Sequence, residues 1–360
     1  MSSYYSCIIL MSVALAVVMV LFVRGNVTLP RQRKVLFIWI FCTVIVGSAC
    51  EWLGVFLSGS GPQVSLWLTM AKVVEFSAAP VLAVLYAAVF TSPEEKYVRI
   101  ALLACALHGV LELALCPFDL VIKVDEMGVY HHGPAYIIYI MAYVASAVFL
   151  VVETKRCNIS LQYRNRHISW VIIGFVAVCL IVQQFTGDVR FSWLGLSIAA
   201  SLFYIFYSGI VQQSDALTLL LNRYSYESSL AQLEHTAAVL FIDVDDFKSV
   251  NDNFGHAKGD EVLQIIAHLI YEVFGNVGSC YRIGGDEFCV IATGATYAEI
   301  SELSDQLSAV LENRRHNNAI LPTVSIGYAE FNPANSDVDD VCRRADEMMY
   351  QMKKLKKSAA

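Results

Sequence analysis

Two short acidic runs in the last third of the chain carry residue types suited to phosphate chemistry. Asp243-Val244-Asp245-Asp246 follows the apolar run Ala237-Ala238-Val239-Leu240-Phe241-Ile242, and Gly284-Gly285-Asp286-Glu287 lies about 40 residues later. The apolar run reads as a buried strand, which puts three carboxylates at its C-terminal end. Ser279 to Ile283 and Phe288 to Ala292 read as short strands, and Gly-Gly between two such runs is a hairpin signal. If the first strand neighbours the hairpin, Asp243 and Asp286 converge. Hard cations such as Mg²⁺ want oxygen ligands and take one or two carboxylates plus substrate phosphates. Glu287 would stand beside them as a spare carboxylate, and the glycines let a phosphate approach the backbone. Such a set suits phosphoryl or nucleotidyl transfer, where metal ions stabilise charge on the attacking and leaving oxygens. An acidic surface hairpin without chemistry is the alternative that these features alone leave open.

The elements that must hold this set are short and mixed. Asn251 to Gly259 reads as a loop, Glu261 to Phe274 and Ile300 to Asn313 as helices, Thr323 to Ala329 as a strand, and Val338 to Lys354 as a closing helix. A sheet with helices packed on one face fits this order best.

The rest of the chain is of a different kind. Over 360 residues, 57% are hydrophobic and only 16% charged, against about 25% charged in soluble domains. The net charge of −7 is unevenly spread. Residues 1–212 carry 13 Lys/Arg against 10 Asp/Glu, and residues 213–360 carry 12 against 22. A wholly soluble protein is thereby excluded, and the acidic second part argues against nucleic acid as a partner, since phosphate backbones attract basic surfaces. A spanning helix needs about 20 apolar residues, and seven runs qualify: 4–23, 35–57, 66–90, 99–118, 134–153, 168–186 and 191–212. Lys and Arg in short loops set orientation. Loops one, three and five hold ten (Arg24, Arg31, Arg33, Lys34; Lys96, Arg99; Lys155, Arg156, Arg164, Arg166), whereas loops two, four and six hold only Lys123 and Arg190. The expected arrangement is a seven-span all-α bundle over 1–212 in a bilayer, N-terminus outside, with a cytoplasmic domain over 213–360. The ten cysteines form no CxxC pair and read as small buried hydrophobes.

Ionisable residues inside spans are costly and become functional candidates. Glu51, Lys72, Glu75, His108 and Glu112 fall in the outer half, roughly 7–14 Å from the outer boundary at about 1.5 Å per residue. Lys72 and Glu75 are spaced i,i+3, and His108 and Glu112 i,i+4, so each pair shares a helix face. Two readings stand: interhelical polar contacts that bind the bundle together, or a pocket open to the exterior that receives a ligand. The region resembles the seven-helix sensor regions found in front of bacterial signalling output domains, through its span count, its orientation and patches such as Glu51-Trp52-Leu53 and Glu75 followed by Pro80.

The second part resembles the GGDEF family, the bacterial diguanylate cyclases. The resemblance rests on Gly284-Gly285-Asp286-Glu287-Phe288 and on four further segments in order: Asp215-Ala216-Leu217-Thr218 with Asn222-Arg223; Asp243-Val244-Asp245-Asp246-Phe247-Lys248 with Asn251-Asp252; Phe254-Gly255-His256 with Gly259-Asp260; and Val324-Ser325-Ile326-Gly327 with Ala345-Asp346, Tyr350 and Lys353. It covers about 145 residues. It implies an α+β domain like the palm of nucleotide cyclases, with flanking helices, at the inner membrane of a bacterium. It also implies condensation of two GTP into cyclic di-GMP and two pyrophosphates by a homodimer, with Mg²⁺ or Mn²⁺, two per site. Carried over, Asp243, the Val244 carbonyl and Asp286 are the expected metal ligands, and Glu287 assists deprotonation of the ribose 3′-hydroxyl. Lys248 and Lys353 meet phosphates beside Gly284 and Gly285, and Asn251, Asp260 and His256 meet guanine. Three departures stand out. Leu219 occupies a position where the family usually has Gly, Lys356-Lys357-Ser358 replaces the common Gly-Arg-Asn, and Gly275 and Gly278 occupy the positions of an inhibitory Arg-x-x-Asp pair. The first two leave open a catalytically weak domain that binds GTP and signals by contact, and the third predicts little inhibition through that pair.

Overall fold

A computed structural model describes residues 3–91, 95–160, 170–171, 173–175, 178 and 192–359. Its contacts divide the chain into two units, Met1–Gly209 and Ile210–Ala360.

The first unit is helical. It contains α1 (Ser3–Gly25), α2 (Arg31–Leu57), α3 (Ser65–Phe90), α4 (Lys96–Leu115), α5 (Ile137–Ser160) and most of α6 (Ser192–Gln213). Among the described residues these six helices are long and apolar enough to cross a bilayer. Thirteen of the nineteen residues of the expected span over 168–186 lie outside the described residues, as do Arg164, Arg166 and Arg190. Small residues bring the helices together, as is usual where lipid removes the hydrophobic drive. The Ser12 and Ser48 hydroxyls sit 3.1 Å apart, Ser12 Oγ donates to the Trp193 carbonyl at 3.1 Å, and Ser197 Oγ donates back to the Ser12 carbonyl at 3.1 Å. Gly47 makes room for Trp193, since a Cβ there would lie 2.0 Å from the indole. Between α4 and α5 the chain forms an antiparallel hairpin, β1 (Ile122–Val124) and β2 (Tyr130–His132). Three-residue strands are too short to leave a period in the sequence.

In the second unit, α7 (Arg223–Ala231) precedes a four-stranded antiparallel sheet of order β4-β5-β3-β6. Its strands are β3 (Ala237–Val244), β4 (Ser279–Arg282), β5 (Glu287–Thr293) and β6 (Val324–Phe331). The helices are α8 (Phe247–Phe254), α9 (His256–Phe274), α10 (Tyr297–Asn317) and α11 (Val338–Ala359).

Two expectations are corrected here. The sheet is covered on both faces, not one. Leu240, Ile242 and Val244 pack with Val262, Ile266, Ile270, Leu307 and Leu311 of α9 and α10. Ala237 and Val239 pack with Tyr226 of α7 and Val341 and Ala345 of α11. The unbroken apolar run of β3 is what two-sided burial requires, whereas a one-sided strand would alternate. The expected loop over 251–259 is instead the end of α8 and the start of α9. Polar Asn251, Asp252 and Asn253 lie on a helix that buries Val250, and the chain breaks only at Gly255, whose φ of +82° stops α8. Helix α10 begins on a capping box, with Thr296 and Glu299 each bonding the other's backbone N–H.

Candidate active site

The sheet order decides which carboxylates meet. Asp243 is the penultimate residue of β3, with Glu287 of β5 on one side and Ser325 of β6 on the other in register. The next residue ties the two acidic runs together, because the Val244 N–H donates to the Asp286 carbonyl at 3.1 Å. The hairpin turn closes through Ile283 N–H and Gly284 N–H, which donate to the Glu287 carbonyl at 3.0 and 3.3 Å. A Cβ on Gly284 would lie 2.5 Å from Glu287 Oε2, so a side chain there would displace that carboxylate. A Cβ on Gly285 would meet nothing within 4 Å, so this stretch of backbone is open to an incoming group.

One cation from the closing helix enters the acidic set, as Lys353 Nζ donates to Asp243 Oδ1. Burial pushes the Asp243 carboxyl above its usual range, Lys353 opposes that, and Asp286 and Asp245 add to it. Burial also raises Glu287, and the charges of Asp243, Asp286 and Asp346 raise it further against Lys353. Lys353 itself is pulled down by burial but held above the ordinary lysine range by Asp243, Asp286 and Asp245. Neighbouring carboxylates thus raise the proton affinity of Asp243 and Glu287 against the opposing charge of Lys353.

The three carboxylates at the strand end separate in role. Asp245 turns to β6, accepting from Thr323 Oγ1 at 2.6 Å, Ser325 Oγ at 2.7 Å and Lys356 Nζ at 3.1 Å. Burial works against its charge, but these donors outweigh it and hold the carboxyl below its ordinary range. Asp246 is exposed in the left-handed region at φ 51°, which Asp tolerates better than most residues. Lys248 lies exposed on α8. Asn251 meets α9 closely, since a Cβ on Gly259 would come 2.0 Å from its Oδ1. Asp260 follows Gly259 directly, and exposed His256 opens the same helix.

These residues lie in a stretch with recognised relatives. Residues 212–359 match the family model described as diguanylate cyclase, GGDEF domain. Those residues form a GGDEF domain. Over 161 residues the chain is 33% identical to the diguanylate cyclase DgcP of Escherichia coli, covering 41% of this chain and 47% of that protein. Over 139 residues it is 30% identical to diguanylate cyclase A of Treponema denticola, covering 38% of each. The chain thus spans less than half the length of these curated relatives. Among solved structures, the GGDEF domain of DgcB from Caulobacter crescentus in complex with c-di-GMP is 30% identical, with a TM-score of 0.36, over 39% of this chain and 90% of that one.

Sequence reasoning missed three contributors to the GGDEF site. Asp346 adds negative charge near Glu287; it sits seven residues, two helical turns, before Lys353, a spacing that puts both on one face of α11. Lys356, where the family commonly has Gly, reaches Asp245. Arg282 donates to the Gly285 carbonyl at 2.8 Å, a main-chain contact that leaves no trace in sequence.

Of the candidates in the helical unit, Glu51, Lys72, His108 and Glu112 are all at most 8% exposed, and Glu75 is half-buried. Lys72 Nζ lies 2.6 Å from Glu75 Oε2 and 5.4 Å from the centre of the Tyr130 ring of β2. His108 Nε2 lies 3.3 Å from Glu112 Oε1, while Ser77 Oγ donates to Glu112 Oε2 at 3.3 Å and so links α3 to α4. Gly54 of α2 abuts Lys72, whose Cε would be 3.1 Å from a Cβ there.

Proposed function

We propose that the chain is a membrane-bound diguanylate cyclase that condenses two GTP into cyclic di-GMP and two pyrophosphates. The observation that carries this reading is the pairing of Asp243 with Glu287 at the strand ends, under an open Gly285 and with Lys353 on the carboxylate. Among the described residues no three His, Cys, Asp or Glu side chains converge as a metal cluster, so a bound ion would draw on two carboxylates, main chain and phosphates, as Mg²⁺ commonly does. Lys353 already places a positive charge against Asp243, which supports that fit. Asp243, the Val244 carbonyl and Asp286 would hold Mg²⁺ or Mn²⁺, two per site, and the ions would neutralise charge on the triphosphate.

The chain's own residues do the rest. Glu287, its proton affinity raised by burial and by its acidic neighbours, takes the proton of the ribose 3′-hydroxyl as that oxygen attacks. Lys353 and Lys248 meet the phosphates beside Gly284 and Gly285, where fixed cations stabilise charge that builds in the transition state. Asp260 accepts from the N1–H and N2–H donors of guanine, Asn251 adds a further polar contact, and His256 lies alongside. An adenine edge lacks those donors, and a site left with an unpaired polar group discriminates sharply. Each site holds one GTP, so product requires two such domains facing each other in a homodimer.

The first unit is read as a seven-span sensor in a bacterial inner membrane, N-terminus outside. Glu51, Lys72, Glu75, His108 and Glu112 would line a pocket for an exterior or membrane ligand. A second reading, a weak cyclase that binds GTP and signals by contact, is favoured by the substituted C-terminal lysines and by Leu219 at φ 62°. Incubating the purified full chain with GTP and Mg²⁺ and assaying cyclic di-GMP separates the two: product supports the cyclase, and GTP binding without product supports the second reading.

A further inference from the structure

One guanidinium links the opening segment of the GGDEF domain to its signature hairpin. Asp215 Oδ1 accepts from the Thr218 N–H at 2.9 Å, from Thr218 Oγ1 at 2.7 Å and from Arg282 Nη1 at 3.0 Å. The other arm of Arg282, Nη2, donates to the Gly285 carbonyl at 2.8 Å. The backbone runs in parallel: Leu221 N–H donates to the Cys280 carbonyl at 3.0 Å, and Arg282 N–H donates to the Leu221 carbonyl at 2.8 Å. Just upstream, Asn222 Nδ2 donates to the Gln212 carbonyl at 2.6 Å, and Ser225 Oγ to the Gln213 carbonyl at 2.9 Å. The last two residues of α6 are therefore joined, through the opening segment and Arg282, to the peptide that precedes Asp286.

That peptide needs an external hold. Two consecutive glycines have the greatest backbone freedom of any pair, and Gly285 offers no side chain for packing to fix. We propose that Arg282 is a positioning residue that sets the Gly285–Asp286 peptide according to where the opening segment, and with it the end of α6, lies. This rests on the reading of the domain as a GTP-condensing enzyme. A guanidinium presents rigid parallel donors that hold a carboxylate and a carbonyl together, whereas an ammonium is a point charge that cannot reproduce the fork.

The test uses the full chain with Arg282→Lys, Asp215→Asn and the double variant. Arg282→Lys is expected to lower kcat about tenfold or more while KM for GTP stays within about twofold, because a misaligned site loses rate more than binding. Amide hydrogen exchange over residues 284–287 should rise while β3 stays protected. Asp215→Asn should act in the same direction, and the double variant should be no worse than Arg282→Lys, since residues of one network are not additive. If Arg282→Lys does not fold, Asp215→Asn carries both measurements. A parent-like kcat with parent-like exchange, or costs that multiply in the double variant, would overturn the proposal. Should the parent make no cyclic di-GMP, the enzymatic reading fails, and exchange alone then decides: unchanged protection at 284–287 sinks the positioning role.

Discussion

Three carboxylates within four residues at the end of β3 look equivalent in the sequence, yet their surroundings give them different work. Asp243 meets Lys353 and the hairpin, Asp245 is spent on Thr323, Ser325 and Lys356, and Asp246 faces solvent. Replacing Asp243 or Asp286 by Ala should cut cyclic di-GMP synthesis by about 10²–10³-fold, the range for one electrostatic contact at a reacting centre. The protein should remain folded by circular dichroism, and a variant retaining more than about a tenth of the rate would be inconsistent with the two-carboxylate assignment. Asp215 gives a pH prediction. Burial disfavours its charge, but Thr218 and Arg282 outweigh that and hold its carboxyl below the ordinary value of 3.8. The folded state therefore binds this proton more weakly than the unfolded one. Its contribution is in full force above the ordinary value and disappears as pH falls through the lower folded value. The melting-temperature gap between parent and Asp215→Asn should be constant from about pH 5 to 7 and close below about pH 4.

At the scale of elements, legibility followed pattern length. The strand of residues 237–242 and the Gly-Gly hairpin were readable because an apolar run and a glycine pair are strong local signals. The division of α8 from α9 was not, because Asn251, Asp252 and Asn253 look like a loop and only burial of Val250 shows a helix. The second covering layer was missed because the apolar run of β3 does not say which helices lie on it. Leu219 is the instructive case. It stands where the family usually has Gly, and it takes the left-handed conformation at φ 62°, its N–H donating to the Asp215 carbonyl at 2.9 Å. A left-handed non-glycine residue costs roughly 1–2 kcal/mol, and glycine's extra freedom in the unfolded chain offsets about 0.5–1 kcal/mol of the relief. Leu219→Gly should thus stabilise the domain by up to about 1 kcal/mol, read as a rise of a few degrees in its melting midpoint.

For the whole molecule, the ties at Gln212 and Gln213 decide where a flexible insert tests coupling. An insert after Gln213 would separate those carbonyls from Asn222 and Ser225, whereas about ten Gly/Ser residues after Gly209 would spare them. Such a linker is a flexible coil that transmits no fixed orientation. It should leave GTP binding intact and make cyclic di-GMP output in vesicles independent of substitutions such as Glu112→Gln; output that still follows them would sink rigid coupling. The parallel bridge from Leu221 to Tyr281 has a further consequence for anyone isolating the GGDEF domain. It occupies backbone groups on the outer side of β4, at the end of the sheet. A fragment beginning at Arg223 would lay that edge bare, and an unpaired strand edge is a template for other chains. Solubility of the excised domain therefore depends on a short segment outside the proposed catalytic set, one that also lends Leu220 to the core, and a fragment beginning at Ile210 keeps it.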